Sequence, residues 1–168
     1  MPLAADAPWL EPEACRLVAL MLERYREAFG RPLLAGLGPA DGRSPRQRAQ
    51  ELFAAPLVLL AHDGLRDPCL TYANAAALGL WQRSWREMVG MPSRLTAPPS
   101  VRQERARALN QARQQVALQG YGGIRVSAQG RLFRITGARI WSVDGGQAAC
   151  FDAWCWLQGE DDHISSAG

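Results

Sequence analysis

The stretch Gly120–Trp156, GYGGIRVSAQGRLFRITGARIWSVDGGQAACFDAWCW, decides the fold. It reads as three antiparallel strands. Ile124 to Ser127 alternate apolar and polar, and Gly130 breaks the run. Leu132 to Val143 alternate again, with Phe133 and Ile135 on one face and Arg134 and Thr136 on the other. Asp144-Gly145-Gly146 is a turn, and Ala148 to Trp156 is the third run. Alternation with turn residues between runs is the hairpin signal.

Upstream of this sheet the chain is mostly helical. Glu11-Pro12 opens a helix in which Cys15, Val18, Leu22, Tyr25 and Phe29 form one apolar stripe, and Gly30 ends it. Residues 1–10 read as a loose lead. Ser44-Pro45-Arg46-Gln47 is a capping box that starts a short helix. Leu57 to Ala61 and Cys69 to Ala73 are two short strands around an Asp63-Gly64 turn that also takes in His62. Asn74 caps an apolar helix through Trp81, and Ser84 to Glu87 is a second capping box. A long helix is expected over Val101 to Gln119, with Ser100 and Gln103 as a third box, Leu109, Ala112 and Val116 as its apolar line, and Gly120 as its cap. Strands grouped at both ends of a helical block argue an α+β fold, not a parallel α/β sheet. The parts divide as an N-terminal helical extension over residues 1–56, a core over 57–157 and a polar tail over 158–168, within a single domain overall.

Composition excludes several function classes. The chain has 168 residues, enough for one packed domain. Its net charge is +3, too small to argue for nucleic acid. All 19 basic residues are Arg, which reflects composition more simply than phosphate binding. Cys15, Cys69, Cys150 and Cys155 form no CxxC pair or Cys/His cluster, and His62 and His163 are the only histidines. That argues against zinc, haem and a Ser-His-Asp set, and against covalent flavin attachment, so no cofactor or metal is expected. No apolar run is long enough for a membrane span, and the expectation is a cytoplasmic, non-catalytic protein with free thiols.

Asp67-Pro68, Tyr72-Ala73-Asn74, Ala76-Ala77-Leu78 and Met91-Pro92-Ser93-Arg94 stand in order along the chain. So do Tyr121 to Ser127, Gly130 to Ile135, Trp141 and Gly146 to Ala149. These segments resemble the MEKHLA domain, a PAS-like family, and the likeness runs from about Trp9 to Leu157. The resemblance implies a five-stranded antiparallel sheet with helices over one face. It also implies a role in sensing or in modulating partner association, in small bacterial proteins or at the end of plant transcription factors.

Two functional readings follow. In one, a PAS-like cavity binds a small apolar or carboxylate-bearing metabolite and signals through a partner chain. In the other, the core is filled and the domain is a protein–protein interaction module, the N-terminal stripe making a homodimer or folding back on its own sheet. Neither reading involves nucleic acid or membrane. Arg125 and Arg134 lie mid-strand and either hold a carboxylate or face solvent and pair with Asp152. Gln147 is a candidate to orient a ligand, whereas Asn74 reads first as a helix cap. Tyr72, Trp81, Trp141 and Phe133 either line a pocket or fill it. The Arg-rich helix from Arg102 to Arg113 reads as a solvated face. The candidate ligand site is therefore Tyr72, Trp81, Arg125, Arg134, Trp141 and Gln147.

Overall fold

The computed structural model describes residues 6–37 and 42–157, so the tail over 158–168 and His163 lie outside the described residues. Five α-helices and six strands are present: α1 Pro12–Phe29, α2 Pro45–Ala54, β1 Val58–His62, β2 Leu70–Ala73, α3 Ala75–Trp81, α4 Trp85–Met88, α5 Arg102–Gln115, β3 Ala117–Val126, β4 Leu132–Val143, β5 Gly146–Phe151 and β6 Ala153–Trp156. The sheet is antiparallel and ordered β2-β1-β5-β4-β3. The last run of the sequence splits at Asp152 into β5 and β6, which lie end to end along β4. Six strands therefore fill five lanes, in the arrangement that the resemblance implies.

The helix starts follow local chemistry. Ser44 and Gln47 form a reciprocal capping box at α2, and Ser84 and Glu87 form another at α4. Gly30 closes α1 in the left-handed conformation at φ 73°. Asn74 does more than cap α3. Its Oδ1 accepts from the amides of Ala77 (3.1 Å) and Leu59 (3.0 Å), while its Nδ2 donates to the carbonyls of Leu57 (2.7 Å) and Leu52 (3.3 Å). One buried amide thus joins the end of α2, the entry to β1 and the start of α3.

The chain around α5 departs from the expectation. The helix begins at Arg102 without a side-chain cap, so Ser100 and Gln103 do not form a third box. It ends at Gln115, and Ala117 already pairs with Trp141 and Leu118 with Ile140. Gln-Gln-Val-Ala-Leu suits a helix locally, but the edge of β4 offers this segment a ladder. Gly120, expected as the helix cap, lies inside β3. The start of the chain also differs: Pro8–Leu10 forms a 3-10 turn, and Trp9 stacks on Phe53 at 3.9 Å.

The two faces of the sheet carry separate cores. On the outer face Leu59, Ala61, Tyr72, Trp141, Val143 and Cys150 pack under α1 and α2. On the inner face Val58, Leu70, Phe133, Ile135, Ala138 and Phe151 pack under the α3–α4 block. The apolar stripe of α1 folds back on its own sheet: Cys15, Val18, Met21 and Tyr25 are buried there. Trp141 Nε1 donates to the Met21 carbonyl at 3.1 Å, and the Tyr25 ring meets Trp141 edge-on at 4.9 Å. Arg24 reaches Asp144 in the β4–β5 turn at 2.9 Å.

Gly137 governs which side chains face which core. Strict alternation along β4 puts Trp141 on the same face as Phe133 and Ile135. In the structure Gly137 has φ +67°, and the pairing of β4 passes from β6 at Thr136 to β5 at Arg139. The extra residue reverses the parity of the strand. Ala138 and Ile140 now join Phe133 and Ile135 inside, and Trp141 turns outward to α1.

Candidate functional site

Between α5 and the inner face of the sheet lies a cavity of about 50 Å³. Its walls are mainly apolar: Leu60 and Leu70 from β1 and β2, Ile135, Ala138 and Ile140 from β4, and Phe151 from β5. Trp81 closes one end, held by a hydrogen bond from Nε1 to the Thr96 carbonyl at 3.2 Å. The polar groups that reach the cavity are His62, Arg105, Tyr121, Arg125, Gln147 and Thr96. A volume of this size takes roughly three to five water-sized groups. It is far below the several hundred Å³ of a pocket for a drug-sized ligand.

Of the six residues singled out in the sequence, Trp81, Arg125 and Gln147 meet at this cavity. The other three do not. Tyr72 and Trp141 belong to the outer core, Trp141 because of the parity change at Gly137 and Tyr72 because β2 pairs with a register shift opposite Ala61 and His62. Arg134 is exposed on β4, between Ile124 of β3 and Cys155 of β6, so its charge stays in water.

Arg125 is buried at 6% exposure without a carboxylate partner among the described residues. Its guanidinium donates to the Tyr121 hydroxyl at 3.0 Å and to the Ile124 carbonyl at 2.8 Å, and no ion pair with Asp152 forms. Gly123 makes this possible. A Cβ at that position would stand 3.0 Å from Arg125 Nη1 and 3.1 Å from the Tyr121 hydroxyl. A second guanidinium, Arg105 of α5, enters the same cavity. Burial lowers its pKa to about 10, the nearby Arg125 charge adds to the shift, and Tyr121 opposes it. No Asp or Glu is among the lining residues.

His62 ends β1 rather than sitting in the turn, and it is buried against β5. Its Nδ1 accepts from the Gly64 amide at 3.0 Å, which leaves the proton on Nε2, 3.2 Å from Gln147 Oε1. Gln147 Nε2 in turn donates to the Leu109 carbonyl of α5 at 2.8 Å. Burial pushes the imidazole pKa down to about 4; the Arg105 charge adds to this, and the hydrogen bond to Gln147 opposes it. The ring is therefore neutral in the fold at ordinary pH. A continuous chain of hydrogen bonds runs from the β1–β2 turn through His62 and Gln147 to α5.

Four of the polar site residues, His62, Thr96, Arg105 and Tyr121, were not candidates from sequence. For Arg105 a signal existed, since it lies four residues before Leu109 on the apolar line of α5. For His62 the decisive neighbour, Gln147, lies 85 residues away, and no local pattern reveals it. None of the four cysteines lines the cavity. No cluster of His, Cys, Asp and Glu able to hold a metal occurs among the described residues. No helix among them is long and apolar enough to cross a membrane.

The fold is similar to those of solved PAS and light-oxygen-voltage domains. A PAS domain from Colwellia psychrerythraea aligns at 16% identity over 64% of this chain and 95% of its own, with a TM-score of 0.55. A fungal light-oxygen-voltage photoreceptor domain aligns at 21% identity over 83% and 91%, with a TM-score of 0.51. An RNA-binding light-oxygen-voltage receptor aligns at 19% identity over 71% of this chain, with a TM-score of 0.57, and the match spans only 35% of that receptor. These likenesses concern the fold. No curated protein matches the chain. The family model described as the MEKHLA domain matches residues 15–156, and the chain belongs to that PAS-like family.

Proposed function

We propose that this chain is a non-catalytic sensor domain that binds a small carboxylic acid in the cavity under α5 and signals through a partner chain. One observation carries the reading. Two guanidiniums, Arg105 and Arg125, reach a mainly apolar cavity that has no carboxylate in its walls. A buried charge is costly unless it is paired, and an anion of a few heavy atoms is the partner that fits. Membership of a PAS-like family supports a sensory role in general.

The route outward is the chain of hydrogen bonds described above. An anion drawn to Arg105 acts on α5, and α5 is tied through Leu109 and Gln147 to His62 and the β1–β2 turn. Only Ala112 of α5 is fully buried, so little apolar packing resists its displacement.

A thermal-shift panel of acetate, propionate and butyrate against propionamide tests the proposal. Concentration-dependent stabilisation by an acid, absent with the amide and lost in Arg125→Met, is the expected result. Arg134→Met serves as the control and retains the response, because Arg134 is exposed away from the cavity. Wild-type protein that no acid stabilises removes the reading.

The interaction-module reading keeps one specific support. β6 pairs only with β4 among the described residues, and Trp154 within it is 39% exposed, as is Leu132 of β4. The stripe of α1 no longer argues for a homodimer, since its own sheet occupies it.

A further inference from the structure

Above the cavity, between the β1–β2 turn and α5, the surface dips into a second hollow of about 560 Å³. Five arginines line it, Arg66, Arg94, Arg102, Arg105 and Arg113, with Asp67 as the one carboxylate. Arg94 takes up that carboxylate at 3.3 Å. Arg102 is committed to the carbonyls of Arg94 and Ala97, at 3.1 and 3.0 Å. No hydrogen bond or ion pair engages Arg66, Arg105 or Arg113 among the described residues.

The outer hollow and the inner cavity adjoin. Both are lined by His62, Arg105, Leu109 and Gln147, so Arg105 borders the two of them. The inner walls are mainly apolar and include Arg125. In the outer hollow are Arg66 and Arg113. Arg105 and Arg113 both act on the His62 ring at the floor, where their charges oppose its protonation.

Arg125 lines only the inner cavity, Arg66 and Arg113 line only the outer hollow, and Arg105 lines both. One cation with a hydroxyl suits a monoanion. Three cations around an open hollow suit a dianion with several acceptor oxygens. We propose that the ligand is a short aliphatic acid bearing a phosphate or phosphonate: its carboxylate meets Arg125 inside, and its phosphoryl group meets Arg66, Arg105 and Arg113 outside. This rests on the carboxylate reading of the cavity and adds the second anionic group.

Isothermal titration at fixed ionic strength with three probes tests it: propionate, inorganic phosphate and 3-phosphonopropionate. Linking two groups that bind adjacent sites multiplies affinity. The expected result is that 3-phosphonopropionate binds at least about tenfold more tightly than either single-ended probe. In the doubly substituted Arg66→Gln, Arg113→Gln protein it falls to the level of propionate, while propionate itself binds as in wild type. Both exchanged side chains are exposed, and circular dichroism confirms that the variant is folded. Three results overturn the proposal: no advantage of 3-phosphonopropionate over propionate, an advantage that survives the double substitution, or inorganic phosphate binding as tightly as the linked probe. If propionate fails to bind wild type, the carboxylate reading itself is lost; if it binds and only the linked probe disappoints, the second anionic group alone is lost.

Discussion

His62 is a built-in stability meter for pH. In the fold its Nδ1 accepts the Gly64 amide, so a second proton would set one N–H against another. Burial and the Arg105 and Arg113 charges add to the cost, and the pKa stands at about 4. In the unfolded chain the group returns to its ordinary value near 6.5. Between those values the unfolded state binds the proton and the folded state does not. The neutral ring therefore contributes nothing to pH dependence above pH about 7, and stability falls as pH drops from about 6.5 to about 4. A difference of about 2.5 units at 1.36 kcal/mol each amounts to about 3 kcal/mol. His62→Gln keeps a donor and an acceptor but cannot titrate. Urea denaturation of wild type and His62→Gln at pH 8, 6, 5 and 4.5 reads the difference. Wild type is expected to lose most of that 3 kcal/mol relative to the variant across the series. Proton NMR adds a direct check, since His163 is the only other imidazole in the chain. An imidazole signal for His62 that titrates near 6.5 in folded protein would refute the geometry of the site.

Three further outcomes are expected. Asn74→Ala strands two amides and two carbonyls that its side chain now satisfies, at roughly 1 kcal/mol each or more, so a loss of at least about 4 kcal/mol in chemical denaturation is expected; a loss below about 1 kcal/mol contradicts the joint described. Trp141→Ala empties a fully buried site beside Tyr25 and costs about 3–5 kcal/mol, read as a shifted denaturant midpoint; an unchanged midpoint means that the ring is exposed. Val116 sits at φ 68° and ψ −31° with its side chain 58% exposed, an unfavourable conformation for a β-branched residue. Val116→Gly relieves strain of about 1–3 kcal/mol against a backbone-entropy cost of about 0.5–1. A net gain near 1 kcal/mol is expected by urea denaturation, and destabilisation counts against the strain.

Most of the fold was legible because its signals are local. Capping boxes at Ser44 and Ser84, the Asn74 cap, Gly30 and the alternation of β4 each act within a few residues. The failures have tertiary causes. Residues 117–119 follow β4 rather than their own helical preference, because pairing with Trp141 and Ile140 satisfies the backbone there. The candidate site was half legible for a similar reason. Arg125 and Gln147 were candidates by side-chain chemistry, as a mid-strand cation and an uncharged donor–acceptor, and Trp81 by its apolar helix. Trp141 could not be placed, since the parity change at Gly137 depends on where β5 ends and β6 begins. Arg105 looked like part of a solvated face until the partner surface of α5 was fixed.

The fold of α1 over the outer sheet face has a consequence for exchange between molecules. Tethered through residues 30–44, α1 faces its own sheet at an effective concentration on the order of millimolar. A free copy of the same helix at micromolar concentration is then outnumbered about a thousandfold. Trp141, Tyr25 and the Arg24–Asp144 pair therefore act as an intramolecular claim that dilute neighbours do not contest. Swapping of α1 between chains belongs to the concentrated regime, and a partner that takes this face in dilute solution must bring contacts better than those of α1.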